Sequence, residues 1–321
     1  MRILLFGATG QLGSTFAEQA FHWTNRDHTV VSVTRAMVDF SGTSDSVYYK
    51  LTDLIRIVNP QVIVNCAAYT DVAGAEIDAS GASRINYTAV ELLERVISDY
   101  QYATGAKLLL IHISTDYVYG DSGLHNITQP IDVRMLPRHY DSINNKYENP
   151  KNVYGKTKLD GDRALLSRKN VSTYVIRTSG LYRERGNNIF TKIANSTKDM
   201  YFYDDVWNVP TPTYLVSNVI WKLVSEWYEY AYTLVSEVLH VAPCIYMDAA
   251  GVHPPSWYTF AKEVVKHVDT GIKIHPIKYT GNNVVPINTY SVLLPTSLSH
   301  FTFPFWDDCV QLTAKKFEGV L

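Results

Sequence analysis

Cysteine is scarce in this chain, with three in 321 residues: Cys66, Cys244 and Cys309. They lie far apart, form no Cys-x-x-Cys pair and are odd in number, so neither a disulfide framework nor a cysteine-built zinc site is expected. Buried, reduced thiols in a reducing compartment are the expectation. Long apolar runs are also missing. No stretch of about 18 apolar residues occurs, so no spanning helix is expected. Met1 runs directly into the strand-like Arg2-Ile3-Leu4-Leu5-Phe6. With no charged and apolar leader ahead of it, no signal peptide is expected, and the cytoplasm is the expected location. Charge of one sign is not in excess: 29 Lys and Arg against 31 Asp and Glu give a net charge of −2. That removes the electrostatic case for nucleic acid or an acidic membrane as a partner. Metal-ligand spacing is absent, since His139, His253 and His275 stand isolated, and no metal is expected. Tyrosine, by contrast, is abundant at 23 residues. Core packing and interfaces account for most such rings.

The first half alternates short apolar runs with longer amphipathic stretches. Ile3 to Phe6, Thr29 to Val33, Gln61 to Cys66, Lys107 to Ile113 and Val171 to Arg177 read as strands. Leu12 to Thr24, Asp53 to Val58, Ala82 to Tyr100 and Val153 to Ser167 read as helices between them. The strands are apolar throughout rather than alternating, as a parallel sheet covered on both faces requires. After Arg177 the pattern weakens. Leu215 to Tyr230 reads as a helix returning to the first lobe, and the region from Cys244 onward shows one clear helix, near Trp257 to Val268. The expected fold class is α/β: a Rossmann-type doubly wound parallel sheet with a smaller C-terminal substrate lobe. The expected domains are residues 1–180 with 211–243 returning to them, and 181–210 with 244–321. Ser41 to Lys50 and Gly120 to Asn152 read as long loops.

Gly7-Ala8-Thr9-Gly10-Gln11-Leu12-Gly13 follows the first strand and opens the first helix. Gly7 permits a tight turn, Gly10 lets the backbone approach a pyrophosphate, and Gly13 lets helix and strand pack. The phosphates would sit on the positive helix N-terminus. Strand before and helix after are the context that gives this triplet its meaning. At the end of the second strand stands Arg35, where an NAD enzyme keeps an acidic residue. It can pair with a 2′-phosphate, so NADP (as NADPH) is the expected cofactor, with NAD the alternative. Asp39 and Phe40 follow, placed to edge the adenine.

Tyr154 and Lys158 are four residues apart, on one face of a helix. A free phenol titrates at roughly 10. A neighbouring ammonium favours the phenolate, which makes Tyr154 a candidate acid toward a ketone oxygen while Lys158 also holds the nicotinamide ribose. Thr115 ends a strand, where a hydroxyl points into the ligand crevice and can hold the carbonyl. Asn86, on the preceding helix, is placed to orient a path to Lys158. The order of these residues along the chain is the signal, since a Tyr-x-x-x-Lys spacing alone is common.

Together these residues resemble the extended short-chain dehydrogenase/reductase family, and more closely the dTDP-4-dehydrorhamnose reductases. The resemblance rests on four stretches: Gly7 to Gly13, Val64 to Val72 with Ala75-Glu76, Ser114 to Tyr119, and Asn152 to Gly161. It continues loosely through Arg177 to Ser179, Gly186 to Asn188 and Asp205 to Thr211, and thins after about residue 225. It implies reduction of the C4 ketone of a nucleotide-linked 4-keto-6-deoxy sugar, with Thr115, Tyr154 and Lys158 catalytic. It implies Ala67, Ala68 and Tyr69 along the cofactor, and Thr70, Val72, Asp116, Tyr117, Asn188 and Trp207 about the sugar. A homodimer is compatible with it. The chain departs from the pattern in places. Gly180 stands where the family has Trp, and Trp207 is offered as its replacement. The loop before Tyr154 is longer by about fifteen residues, an order-of-magnitude comparison. The late Arg-Pro-x-x-Ser-x-Leu stretch has no clear counterpart near Pro286 to Leu298. Arg183 and Arg185 are placed to meet a diphosphate.

Two other readings compete. A nucleotide-sugar epimerase or 4,6-dehydratase shares the scaffold. However, Asp116 is followed by Tyr117 rather than the second carboxylate of a dehydratase, and Arg35 contradicts the acidic residue usual in an epimerase. A non-catalytic NADP-binding regulatory subunit, like that of methionine adenosyltransferase, resembles the same reductases. An intact triad shows competence rather than use.

Overall fold

The computed structural model describes residues 1–23, 28–120, 148–168, 170–229, 234–248, 251–281 and 285–321. Among them, six strands form one parallel sheet: β1 (Arg2–Phe6), β2 (Thr29–Val33), β3 (Val62–Asn65), β4 (Leu109–Thr115), β5 (Ser172–Thr178) and β8 (Ser236–His240). Their order across the sheet is β2-β1-β3-β4-β5-β8. The chain therefore winds outward from β1 to β2, then returns to the other side of β1 as β3. That reversal leaves a crevice at the carboxyl ends of β1 and β3, where such sheets bind ligands.

Helices cover both faces. They are α1 (Gln11–Trp23), α2 (Ser44–Val58), α3 (Val72–Ile77), α4 (Ala79–Ser83), α5 (Ala89–Thr104), α6 (Val153–Ser167) and α8 (Thr213–Glu229). The side-chain alternation of β1 shows why two layers form. Leu4 and Phe6 join Leu51 and Ile55 of α2 and Leu93 and Ile97 of α5 in one core. Ile3 and Leu5 face the other way, onto Phe16 of α1 and Ile220 and Trp221 of α8. Phe16 and Trp221 stack at 4.5 Å, and Thr15 meets Thr213 hydroxyl to hydroxyl at 2.9 Å. This packing returns α8 to the sheet, as its sequence pattern anticipates.

The remaining elements are α7 (Ile189–Ala194), α9 (Trp257–His267) and α10 (Trp306–Phe317), with small two-stranded pairs. β6 (Met200–Tyr203) pairs with β11 (Ile274–Ile277), β7 (Trp207–Asn208) with β12 (Tyr290–Ser291), and β9 (Tyr246–Asp248) with β10 (Gly251–His253). A third core gathers Tyr182, Phe190, Phe260, Val264, Trp306 and Val310.

Three sequence expectations change. Ser41 to Lys50 is not a long loop, because α2 begins at Ser44, with the Thr43 hydroxyl accepting from Ser46 N–H at 3.4 Å. The Ser- and Asp-rich start that reads as loop is capping chemistry, which uses the same residues. The C-terminal region carries a second helix, α10, whose buried Trp306, Cys309, Val310, Thr313 and Ala314 follow a helical period. Ala82 to Tyr100 is not one continuous α-helix, since Arg84–Thr88 forms a π-helical turn between α4 and α5. The long loop expected before Asn152 falls largely outside the described residues, as does His139. No helix among the described residues is long and apolar enough to cross a membrane. Of the three free cysteines only Cys309 is fully buried.

Candidate active site

The glycine turn sits at the switch point. Gly7 has φ +74°, and a Cβ there would lie 2.7 Å from Ala67 N, so the turn after β1 presses on the backbone leaving β3. A Cβ on Gly13 would fall 2.2 Å from the Gly7 carbonyl oxygen. Gly10 differs, because its Cβ would meet only that same oxygen, at 3.3 Å. Gly10 therefore faces open space, as a backbone that must admit a phosphate should. The helical ladder starts with Ser14 N–H donating to Gly10 O at 2.9 Å. The amides of Gln11, Leu12 and Gly13 precede it, at the positive end of α1. The donor set and the open cradle fit a dinucleotide pyrophosphate, with Thr9 exposed beside it.

Arg35 lies past β2, its Nε donating to Asp39 Oδ1 at 3.2 Å and its Nη2 to Ser41 Oγ at 3.2 Å. It is largely exposed and free to meet an added phosphate. Asp39 also accepts from the Ser41 amide and hydroxyl, which holds its carboxyl below the usual carboxylate range. Phe40 turns inward, 6% exposed and stacked on Phe6 at 5.3 Å. Its ring packs in the core with Phe6 and Val38.

Asn86 lies in the π-helical turn. Its Oδ1 accepts from Tyr69 N–H at 2.8 Å, and its amide donates to Tyr69 O and Thr157 Oγ1, each at 3.1 Å. It locks the Ala67-Ala68-Tyr69 segment to α6, and its bonds do not reach Lys158. Thr70 is exposed just beyond, and Asp71 caps α3, whose first residue is Val72. α6 is itself capped twice: Asn152 accepts from Gly155 N–H at 2.8 Å, and Glu76 accepts from Val153 N–H at 2.7 Å. These caps fix the helix that presents Tyr154.

Tyr154 is half-buried, with the Thr115 hydroxyl near enough to favour its phenolate and the Tyr117 ring 5.8 Å away edge-on. Burial pushes its phenol well above the ordinary value. Lys158 is 1% exposed. Its Nζ donates to Ile113 O at 2.6 Å and lies 3.2 Å from His112 Nε2. Both of these partners belong to β4. The lysine satisfies its hydrogen bonds on β4, and nothing lowers the phenol except Thr115. For a reduction that is serviceable, since the raised value keeps the phenol protonated and able to donate.

Thr115 Oγ1 donates to Asp116 Oδ1 at 3.0 Å. The other oxygen of Asp116 accepts from Asn208 Nδ2 at 3.3 Å and from the Ser291 hydroxyl. Burial raises this carboxyl to about 6, against the hydrogen bonds from Ser291, Thr115 and Asn208. Asp116, Tyr119, Tyr290 and Ser291 line a small cavity.

The family model described as RmlD substrate binding domain matches residues 1–316. The chain belongs to that family. It is 29% identical to the dTDP-4-dehydrorhamnose reductase of Escherichia coli (strain K12) over 294 residues, which cover 90% of this chain and 85% of that protein. Solved dTDP-4-dehydrorhamnose reductases match its fold. The one from Clostridium acetobutylicum has a TM-score of 0.76 at 24% identity, covering 99% of this chain and 100% of its own. The one from Bacillus anthracis, in complex with NADP, has a TM-score of 0.75 at 21% identity, covering 98% and 99%.

Against that family pattern, three substrate-side expectations move. Gly180, at φ +49°, has Trp257 as its aromatic neighbour, with Cη2 3.3 Å from where a Cβ would sit. Trp207 lies on β7, 6.1 Å from Tyr290 ring to ring. Asn188 is 5% exposed and caps α7. Its amide donates to Arg183 O and Arg185 O at 3.1 and 3.0 Å, which leaves no N–H for a sugar. Arg183 and Arg185 both pair with Glu18 of α1 rather than standing free for a diphosphate.

Sequence reasoning missed Asn208, Tyr290 and Ser291. A signal existed: Ser291-Val292-Leu293 carries a Ser-x-Leu ending. Its spacing from Pro286 is two residues longer than the family pattern, and that hid it.

Proposed function

We propose that this protein uses NADPH to reduce the C4 ketone of a nucleotide-linked 4-keto-6-deoxy sugar, in the manner of a dTDP-4-dehydrorhamnose reductase. The observation that carries the reading is the meeting of Thr115, Tyr154 and Asp116 at the carboxyl end of β4, across from the open Gly10 cradle. NADPH, when bound, supplies the hydride. The amides of Gln11, Leu12 and Gly13 would hold its pyrophosphate and Arg35 its 2′-phosphate. Thr115 and Tyr154 orient the ketone oxygen, and Tyr154 Oη gives it the proton. Lys158, reached from α6, would hold the nicotinamide ribose. Tyr119 and Tyr290 flank the cavity beside Asp116. The third core supports dividing the chain into a cofactor domain of 1–180 with 211–243 and a substrate lobe of 181–210 with 244–321. Free thiols support a cytoplasmic setting.

The test is loss of NADPH absorbance with dTDP-4-dehydro-6-deoxy-L-mannose. Turnover is expected in the wild type, and Tyr154→Phe should lower kcat by roughly 10²–10⁴-fold with NADPH binding retained. A folded protein that binds NADPH but leaves every such sugar unreduced would overturn the reading.

A further inference from the structure

Lys158 sits at the end of a buried hydrogen-bond chain that constrains which protons it can carry. The chain begins with Ala67 N–H, which donates to Asn65 Oδ1 at 3.1 Å. That bond fixes the orientation of the Asn65 amide, so its Nδ2 is the atom 3.1 Å from His112 Nδ1. An amide nitrogen can only donate. His112 Nδ1 must therefore accept, and the neutral ring carries its proton on Nε2. Burial keeps His112 neutral, far below the usual histidine range. The Nε2–H then points at Lys158 Nζ, 3.2 Å away. An ammonium has no lone pair to receive it, whereas an amine has one. The other bond of Lys158, to Ile113 O, suits either form.

We propose that Asn65 and His112 are positioning residues that make Lys158 a weak base, by presenting it with a ring N–H that only the neutral amine can accept. The remaining groups facing the lysine leave this effect in place. Asp162, one turn along α6, favours the ammonium, but its Oδ2 is already shared by Arg177 Nε at 3.0 Å and Ser114 Oγ at 2.9 Å. The Cys66 thiol stays protonated, pushed up to about 12 by burial. Burial brings Lys158 itself down to about 8, with Asp162 opposing. The consequence is a lysine whose charge follows pH close to neutrality. Its hold on an anionic dinucleotide weakens as pH rises through that midpoint.

The inference rests on placing Lys158 in the reductase site, but its test needs no turnover. Long-range ¹H–¹⁵N spectra of the full chain report the His112 tautomer. Lysine ¹³Cε shifts, assigned with Lys158→Arg, report the titration. Expected are the Nε2–H tautomer and a Lys158 midpoint about one unit or more below that of exposed lysines. Asn65→Asp puts an acceptor opposite Nδ1, so the tautomer should reverse and the midpoint rise. In a His112→Phe background the same substitution keeps its charge but has no tautomer to reverse, and the rise should shrink. An Nδ1–H tautomer in the wild type, a Lys158 that titrates with the surface lysines, or an equal rise in both backgrounds overturns the proposal. The wild-type measurements stand even if a variant fails to fold. Failure here would leave the reductase reading intact, since ketone reduction is measured separately.

Discussion

Asp116 joins Thr115, beside Tyr154, to the C-terminal segment, and its own charge is set by that position. In an unfolded chain its carboxyl titrates at 3.8; in the fold burial raises it to about 6. The folded state therefore binds this proton more tightly. Stability from the group is fullest below the unfolded value and is lost as pH rises through about 6. The shift corresponds to about 3 kcal/mol in order of magnitude. Asp116→Asn should remove this loss, so the Tm difference between variant and wild type should widen from pH 4 to about 6 and then level off. Parallel melting profiles across that window would contradict the assignment. Arg35 belongs to the same scale. It is exposed, and among the described residues its side chain bonds Asp39 and Ser41, so Arg35→Ala should leave Tm unchanged within about 0.5 kcal/mol of stability. NADPH affinity should fall about tenfold, with NADH affinity unaltered. Equal losses for both cofactors in a fluorescence titration would remove the 2′-phosphate role.

At the scale of the element, the turn between β1 and α1 separates two uses of glycine. Gly13 is required by packing: its Cβ would sit 2.2 Å from the Gly7 carbonyl. Gly13→Ala should cost about 1–3 kcal/mol in a denaturant melt, since the turn backbone has nowhere to move. Gly10→Ala meets only one atom within 4 Å, at 3.3 Å, so folding should be nearly unaffected. The added methyl stands where the pyrophosphate must approach, and NADPH affinity should drop about tenfold or more. Calorimetry that found the two variants equally unstable, or equally able to bind, would refute the distinction. The π-helical turn at Arg84–Thr88 is a second such element. One extra residue per turn at that point brings Asn86 to bear on both Tyr69 and Thr157.

Across the whole molecule, the site closes only because the C-terminal segment crosses to the sheet. β12 pairs with β7, which brings Asn208 and Ser291 together onto Asp116, and Asn152 Nδ2 ties the start of α6 to Pro286 O at 3.0 Å. Ser291→Ala should raise KM for the nucleotide sugar several-fold, while NADPH affinity stays as it was. Steady-state kinetics showing both unchanged would detach the segment from the substrate. The amino-acid sequence by itself determined the parallel sheet, the glycine turn, the boundaries of α6, and the order Thr115, Tyr154, Lys158. Each rests on interactions a few residues apart: apolar period, capping and helical spacing. The tertiary structure alone decided where Lys158 sends its proton, that Phe40 turns inward, that Trp257 meets Gly180, and that Ser291 reaches Asp116. Those outcomes depend on contacts between residues far apart in the chain, whose identities carry no local pattern.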